Sequence, residues 1–223
     1  MLKKYIMNLK ERYKIKPISY KVAMDLVVKN HYLHRKCPCS QAFGLFEKCE
    51  NSTDLFSNDR IVGCVVYGTP SSSSLRKGLC GIDESFNVLE LTRLWIEDDT
   101  PKNTESYLIG NTIKLVNKEI IVSYAEIQQG HLGIVYQATN WIYTGLSAKR
   151  TNWTIEGVDK HCQTIADKYT AKEIREKYGD KFKLVDRPRK HRYVYFNANK
   201  NRKKELMRLL KYKIESYPKA VVN

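Results

Sequence analysis

The sequence predicts a mixed α and β fold, α+β or α/β, in one domain with a basic extension near its C-terminal end. Three observations predict it. A chain of 223 residues can bury one substantial core, or a core with an appendage. Its 42% hydrophobic and 11% aromatic content is that of a folded protein. Apolar, strand-like runs alternate with stretches of helical spacing, and neither an internal repeat nor a clear linker interrupts them.

In chain order, Ser19–Asn30 reads as a helix: Ser19 can cap it, and Val22, Leu26 and Val27 recur at helical spacing. Gln41–Glu47 and Ile61–Tyr67 read as strands, the second (IVGCVVY) apolar enough to be central, with a polar loop, Glu50–Asp59, between them. Thr69–Gly78 (TPSSSSLRKG) has the composition of a flexible loop, either a lid or a plain linker. Asn87–Ile96 (NVLELTRLWI) alternates as a half-buried strand does. After Asp98, Asp99 and Pro101 a helix is expected over Thr104–Asn117, then a strand at Ile120–Tyr124 and a helix or helical turn over Leu132–Trp141. Trp141–Ile155 reads as an extended pair, Ala171–Tyr178 as a helix, Arg192–Phe196 as a strand and Lys200–Leu210 as a basic helix.

Composition excludes several classes. The opening MLKKYIMNLKERYK is charged and lacks the apolar stretch of a secretion signal. No apolar run approaches the ~20 residues of a membrane span. The chain therefore reads as soluble and cytoplasmic, with no membrane partner. Six cysteines (Cys37, Cys39, Cys49, Cys64, Cys80, Cys162) lack the paired spacing of a zinc site and the secreted context of a disulfide framework, so they read as reduced packing residues.

The net charge of +15 is unevenly placed. Between Lys181 and Lys213, 13 Lys/Arg face only Asp186 and Glu205, a net +11, which leaves +4 for the remaining 190 residues. Charge this localised is a footprint for a polyanion, and the alternative is a solvated basic face. Aromatics interleaved with the cations (Arg192-Tyr193-Val194-Tyr195-Phe196) favour nucleic acid, because rings can stack on bases.

Four constellations can carry chemistry. The densest lies in Glu119–Gly145, where an apolar run ends at Ser123, Tyr124 and Glu126 and a Gln-Gln-Gly-His-Leu-Gly loop leads into a helix-like stretch. Strand ends of this kind are where α/β folds place reacting groups. Glu126, His131 and Tyr136 are its candidates. Asn30-His31-Tyr32 offers a histidine for proton transfer or metal binding beside a phenol, although a lone histidine at a helix end is more often a cap or surface residue. In Glu90-Leu91-Thr92-Arg93-Leu94, Arg93 among apolar neighbours is either a partly buried cation awaiting an anion or half of an internal salt bridge. In Asn103-Thr104-Glu105-Ser106, Asn103 or Thr104 can cap a helix whose free amides make an anion site, with Ser106 facing it.

These residues carry a resemblance. His31-Tyr32, ELTRLWIEDDTPKNTES at 90–106, SYAE…GHLGIVYQATNWIYTG at 123–145 and KHRYVYF at 190–196 resemble the Mom family of bacteriophage DNA-modification proteins, from about His31 to Lys219. YQATNW is its most specific string. The resemblance implies a GCN5-related acyltransferase-like fold, a mixed sheet flanked by helices with a basic C-terminal strand and helix. It implies conversion of adenine in DNA to N6-(carbamoylmethyl)adenine, which protects phage DNA from host restriction, in the host cytoplasm.

The resemblance also implies site roles for His31, Tyr32, Arg93, Ser106, Glu126 and Tyr136. The helix opening assigns donor binding to Asn103, Thr104 and Ser106, and iron at His31 and Glu126 with Tyr32, a mixed N/O ligand set, is the competing idea. The donor is an activated acyl or aminoacyl group, glycine or acetyl-CoA. Two departures stand out. Glu126 occupies a position where Mom sequences usually carry Asp. The phosphate loop of acyltransferases, Gln/Arg-x-x-Gly-x-Gly, is missing, since Asp99–Glu105 has no glycine.

DNA is the expected partner, held by Arg187, Arg189, Lys190, Arg192, Tyr193, Lys203 and Lys204, and a homodimer is compatible with the sequence. Tyr32, Tyr136 or Trp141 could stack on an extruded adenine, with core packing preferred for Trp141. Two other functions stay open: a generic acyltransferase on a small-molecule or protein amine, and a non-catalytic nucleic-acid-binding protein.

Overall fold

The structure, a computed structural model, describes residues 8–48, 59–158, 165 and 168–219. Its elements are α1 (Leu9–Arg12), β1 (Tyr13–Pro17), α2 (Tyr20–Asn30), β2 (Gln41–Glu47), β3 (Arg60–Gly68), α3 (Ser73–Cys80), β4 (Val88–Ile96), α4 (Thr104–Thr112), β5 (Ile120–Glu126), α5 (Ile134–Ala138), β6 (Ile142–Leu146), β7 (Arg150–Ile155), α6 (Ala171–Tyr178), β8 (Phe182–Arg187), β9 (Lys190–Phe196) and α7 (Lys200–Leu209). The polar loop expected at Glu50–Asp59 lies, apart from Asp59, outside the described residues, as do Cys49 and Cys162.

Seven strands form one mixed sheet in the order β1-β2-β3-β4-β5-β9-β6, and β7 and β8 form a separate two-stranded ribbon. The expected mixed sheet flanked by helices is therefore present. Within the main sheet only β4 and β5 run parallel, and they pair over just Val88–Glu90 and Ile120–Val122 before parting. Beyond Glu90, β4 stays paired with β3 while β5 stays paired with β9. A wedge opens between them.

Strand alternation sends side chains to two faces. On one face Leu89, Leu91, Ile121 and Tyr193 pack with Leu108, Ile109, Tyr136 and Trp141 from α4, α5 and the turn after it. On the other, Val88, Ile120, Val122 and Val194 pack with Leu79 and Cys80 of α3 and Leu206 of α7. Ala23, Met24 and Val27 of α2 cover Ala42, Cys64 and Val66 of β2 and β3. Cys37, Cys39, Cys64 and Cys80 are free, and burial raises each thiol's pKa, as expected of packing cysteines.

Several expectations are corrected. Thr69–Gly78 is no loop throughout, because Ser72 accepts from the Leu75 amide and starts α3, whose Leu79 and Cys80 are buried. The helix after Pro101 ends at Thr112, where Ile113 caps it, rather than at Asn117. Trp141–Ile155 does form two strands, but they do not pair with each other: β6 joins β9 and β7 joins β8. Within the basic segment, β9 lies between β5 and β6.

Candidate active site

The wedge between β4 and β5 opens into a cavity of ≈ 1110 Å³. All six residues given site roles line it: His31, Tyr32, Arg93, Ser106, Glu126 and Tyr136. They come from the end of α2, from β4, from the first turn of α4, from the end of β5 and from α5.

The Tyr32 phenol donates to Glu126 Oε2 at 3.0 Å, and Lys190 Nζ approaches the same oxygen at 3.3 Å. β5 and β9 bring the last two together, Glu126 being opposite Lys190 in the register. Burial first, then the Glu126 charge, raises the Tyr32 pKa to about 12, so its phenol holds its proton. His31 stacks on Tyr32 with ring centroids 4.3 Å apart. Its Nδ1 accepts from the Leu33 amide at 3.1 Å, which in the neutral ring leaves the hydrogen on Nε2. Burial and then the Arg93 cation lower the His31 pKa to about 4, so the neutral donor form prevails at neutral pH.

Tyr136 is buried between Trp141 and Tyr193, both with ring centroids 5.1 Å away, and its hydroxyl bonds Ser123 Oγ at 2.8 Å. Burial raises the Tyr136 pKa to about 12. Trp141 is fully buried, which bears out its assignment to the core. Gly133 at the start of α5 has φ +73°, and a Cβ there would collide with the Tyr193 ring. Glycine therefore lets α5 lie against β9.

Arg93 donates to the Thr92 carbonyl at 2.6 Å, and its buried Nε has no partner among the described residues. An internal salt bridge is not what holds it. At α4, neither expected cap operates. Asn103 sits in the left-handed region (φ 72°) with no side-chain capping bond, and the Thr104 hydroxyl donates to the Pro101 carbonyl at 2.6 Å. Asn tolerates that backbone, so it supplies a turn that glycine otherwise provides. The Ser106 hydroxyl donates to the Asn103 carbonyl at 3.0 Å, while the Thr104 and Tyr107 amides reach Pro101 and Asn103. The amides of Glu105 and Ser106 between them have no such acceptor among the described residues.

Two more residues of the sequence constellations, His131 and Glu90, line the cavity beside these six. His131 lines it with its ring edge-on to Tyr32 at 6.2 Å. Glu90 lines it without a hydrogen bond or ion pair among the described residues, and burial raises its pKa despite Lys190 and Arg93. Its alternation on β4 was legible, but nothing in the string marked the parting of the strands that exposes it.

Of the residues expected to hold DNA, Arg187, Lys190 and Arg192 line the cavity. Tyr193 is fully buried, with its hydroxyl on the Leu132 carbonyl, and is withdrawn from that role. Arg192, 7% exposed, donates to Thr144 Oγ1 and to the Thr144 carbonyl, both at 2.9 Å, and stacks on Tyr212. These bonds fix its guanidinium at the cavity wall. Arg189 is tied to the Ser147 carbonyl at 2.6 Å. Lys203 and Lys204 lie on α7, outside the cavity lining.

The competing iron site at His31, Glu126 and Tyr32 is not supported. Among the described residues no group of three or more His, Cys, Asp or Glu side chains could hold a metal ion. Glu126 is instead bound by a phenol and an ammonium.

A large cavity walled by ionisable groups, opening where two parallel strands part, is the build of an enzyme. The chain belongs to the Mom protein family, whose model matches residues 12–219. A curated relative, "Methylcarbamoylase mom" of Escherichia phage Mu, is 27% identical over 172 residues, covering 74% of this chain and 70% of the relative. Among solved structures, the Vibrio fischeri ribosomal-protein-S5-alanine acetyltransferase is 12% identical with a TM-score of 0.46, covering 85% of this chain and 95% of its own. Arabidopsis thaliana NAA60 in complex with a bisubstrate analogue is 9% identical with a TM-score of 0.47, covering 82% and 97%. These structural likenesses reach no further than broad outline.

Proposed function

We propose that the chain is a transferase that converts adenine in phage DNA to N6-(carbamoylmethyl)adenine inside the infected host cell, shielding that DNA from restriction. Membership of the Mom family and the similarity to a protein named as a methylcarbamoylase support the substrate and product. The observation that carries the site is the convergence of His31, Tyr32, Arg93, Glu126 and Tyr136 on one cavity. We read the chain as one catalytic domain in which the basic segment 181–213 is integral.

Adenine N6 is paired in duplex DNA, so the base must be extruded to react. The exposed Tyr32 ring, backed by His31, offers a surface for it. Tyr136 is enclosed by its neighbours and is better suited to polarise a carbonyl through its phenol. Glu126 accepts the N6 proton as that nitrogen attacks, and Lys190 and Tyr32 hold the carboxylate in place. His31, with hydrogen on Nε2, donates to developing negative charge rather than acting as the base.

The donor supplies an activated acyl carbon. Arg93 and the free amides at the start of α4 suit its anionic part, with Asn103, Thr104 and Ser106 shaping that turn. We further propose that the acyl group is glycyl. N6-glycyladenine is an isomer of the product. Its free amine attacks C6, the C6–N6 bond breaks, and the departing nitrogen, taking a proton, becomes the terminal amide.

Adenine labelled with 15N at the exocyclic position tests this. The label should appear in the terminal amide of the new nucleoside. A label that stays on C6 contradicts the rearrangement, and the absence of any new nucleoside contradicts the function.

A further inference from the structure

The β7–β8 ribbon leaves two arginines directly opposite each other, and no described residue answers their charge. Arg150 pairs in register with Arg187, both are exposed, and both line the cavity. Neither has an ion pair or hydrogen bond among the described residues, whereas Arg12, Arg60, Arg189, Arg192 and Arg202 are all engaged. Like charges facing across an antiparallel pair are destabilising. Asp186, next to Arg187, is opposite Thr151 and so lies on the other face of the ribbon. That other face carries Ile155 and Phe182, which pack in a small separate core, so it is already occupied. The arginine face continues away from the cavity through Asn152 and Val185 to Thr154 and Lys183, and Lys183 is paired with Glu156 at 2.7 Å.

We propose that Arg150 and Arg187 form a phosphate clamp that grips the DNA strand beside the base presented to the cavity, with the β7–β8 ribbon as its arm. The inference rests on the DNA reading above. Two guanidinium forks match a phosphodiester's oxygens, and the phosphate removes the repulsion that the protein leaves standing. The grip is independent of sequence, because phosphate contacts position a strand without reading it. A two-stranded ribbon is also narrow enough to follow a groove.

The test measures binding of the full chain to duplex DNA by fluorescence anisotropy across a salt series. Arg150→Gln and Arg187→Gln should each reduce the salt slope by about 1, and the double variant by about 2. Lys183→Gln, on the same face but paired with Glu156, should leave the slope unchanged. Thermal unfolding should show the double variant folded with Tm unchanged or raised, because repulsion is relieved. A double variant with the wild-type slope overturns the clamp, whatever the wild type does to adenine. A reduced slope in a chain that yields no new nucleoside sustains the clamp and sinks the enzymatic reading. If the double variant binds DNA normally but needs more acyl donor for half-maximal rate, the phosphate held is the donor's and the DNA clamp is wrong.

Discussion

The hydrogen bond from the Tyr32 phenol to Glu126 Oε2 joins residues 94 positions apart, one just past α2 and the other at the last residue of β5. It ties the cover of one sheet face to the strand that parts from β4, and it closes one side of the cavity. Lys190 completes a three-residue cluster around the carboxylate.

Glu126→Gln should fold and lose activity by ~10²–10⁴-fold, the range for a lost general base. Tyr32→Phe should cost less, because the base survives without its anchor. The double variant should be no worse than Glu126→Gln alone, since the two act as one unit. Additive losses in steady-state rates would separate them. Glu126→Asp, restoring the residue usual in the family, should shorten the reach and weaken the Tyr32 bond.

His31 should titrate near 4 in an NMR pH series and show the Nε2–H tautomer above that pH. Its charge therefore cannot shape the pH–rate profile between about 6 and 8, where an unperturbed histidine would titrate. His31→Gln, which retains a donor, should keep more activity than His31→Ala. A measured pKa near 6.5 would remove the donor assignment.

Glu90 gives a stability prediction with a defined sign. Its pKa is raised by burial, so its neutral form is tolerated in the fold at low pH and its stability contribution is lost as pH rises through the shifted pKa. Glu90→Gln should therefore gain Tm relative to wild type, and the gain should be larger at about pH 8 than below the ordinary value of 4.5. Equal differences at both pH values would show that Glu90 is well solvated.

Gly133→Ala should be severely destabilised, by about 2 kcal/mol or more, because a left-handed backbone and a collision with Tyr193 both oppose the methyl group. A Tm close to wild type would contradict the packing of α5 against β9. Arg192→Ala should also lower Tm, whereas Lys203→Ala and Lys204→Ala should leave it unchanged and weaken DNA binding by about 1 in salt slope each.

Much of the fold was legible where a local signal coincided with the tertiary outcome. Ser19 caps α2, and β2 runs from Gln41 to Glu47 as its pattern indicates. The Ser run at 71–74 hid α3, since the residue that looked like linker, Ser72, is its cap. β1 and β8 were not read because they are short and charged, and their pairing with Gln41–Glu47 and Arg150–Ile155 is a tertiary fact. The site residues were nameable by resemblance and residue type. Which ones touch was not, because the Tyr32–Glu126 and Glu126–Lys190 contacts depend on strand order, as does the burial of Tyr193.

We propose that the cavity around Glu126 modifies adenine in DNA. Mass spectrometry of nucleosides from DNA of cells expressing the wild-type chain should reveal a deoxyadenosine carrying a carbamoylmethyl group. Cells expressing Glu126→Gln should yield none, although the purified variant keeps its salt-dependent DNA binding. Unmodified deoxyadenosine from the wild type, or full modification by Glu126→Gln, would contradict the account.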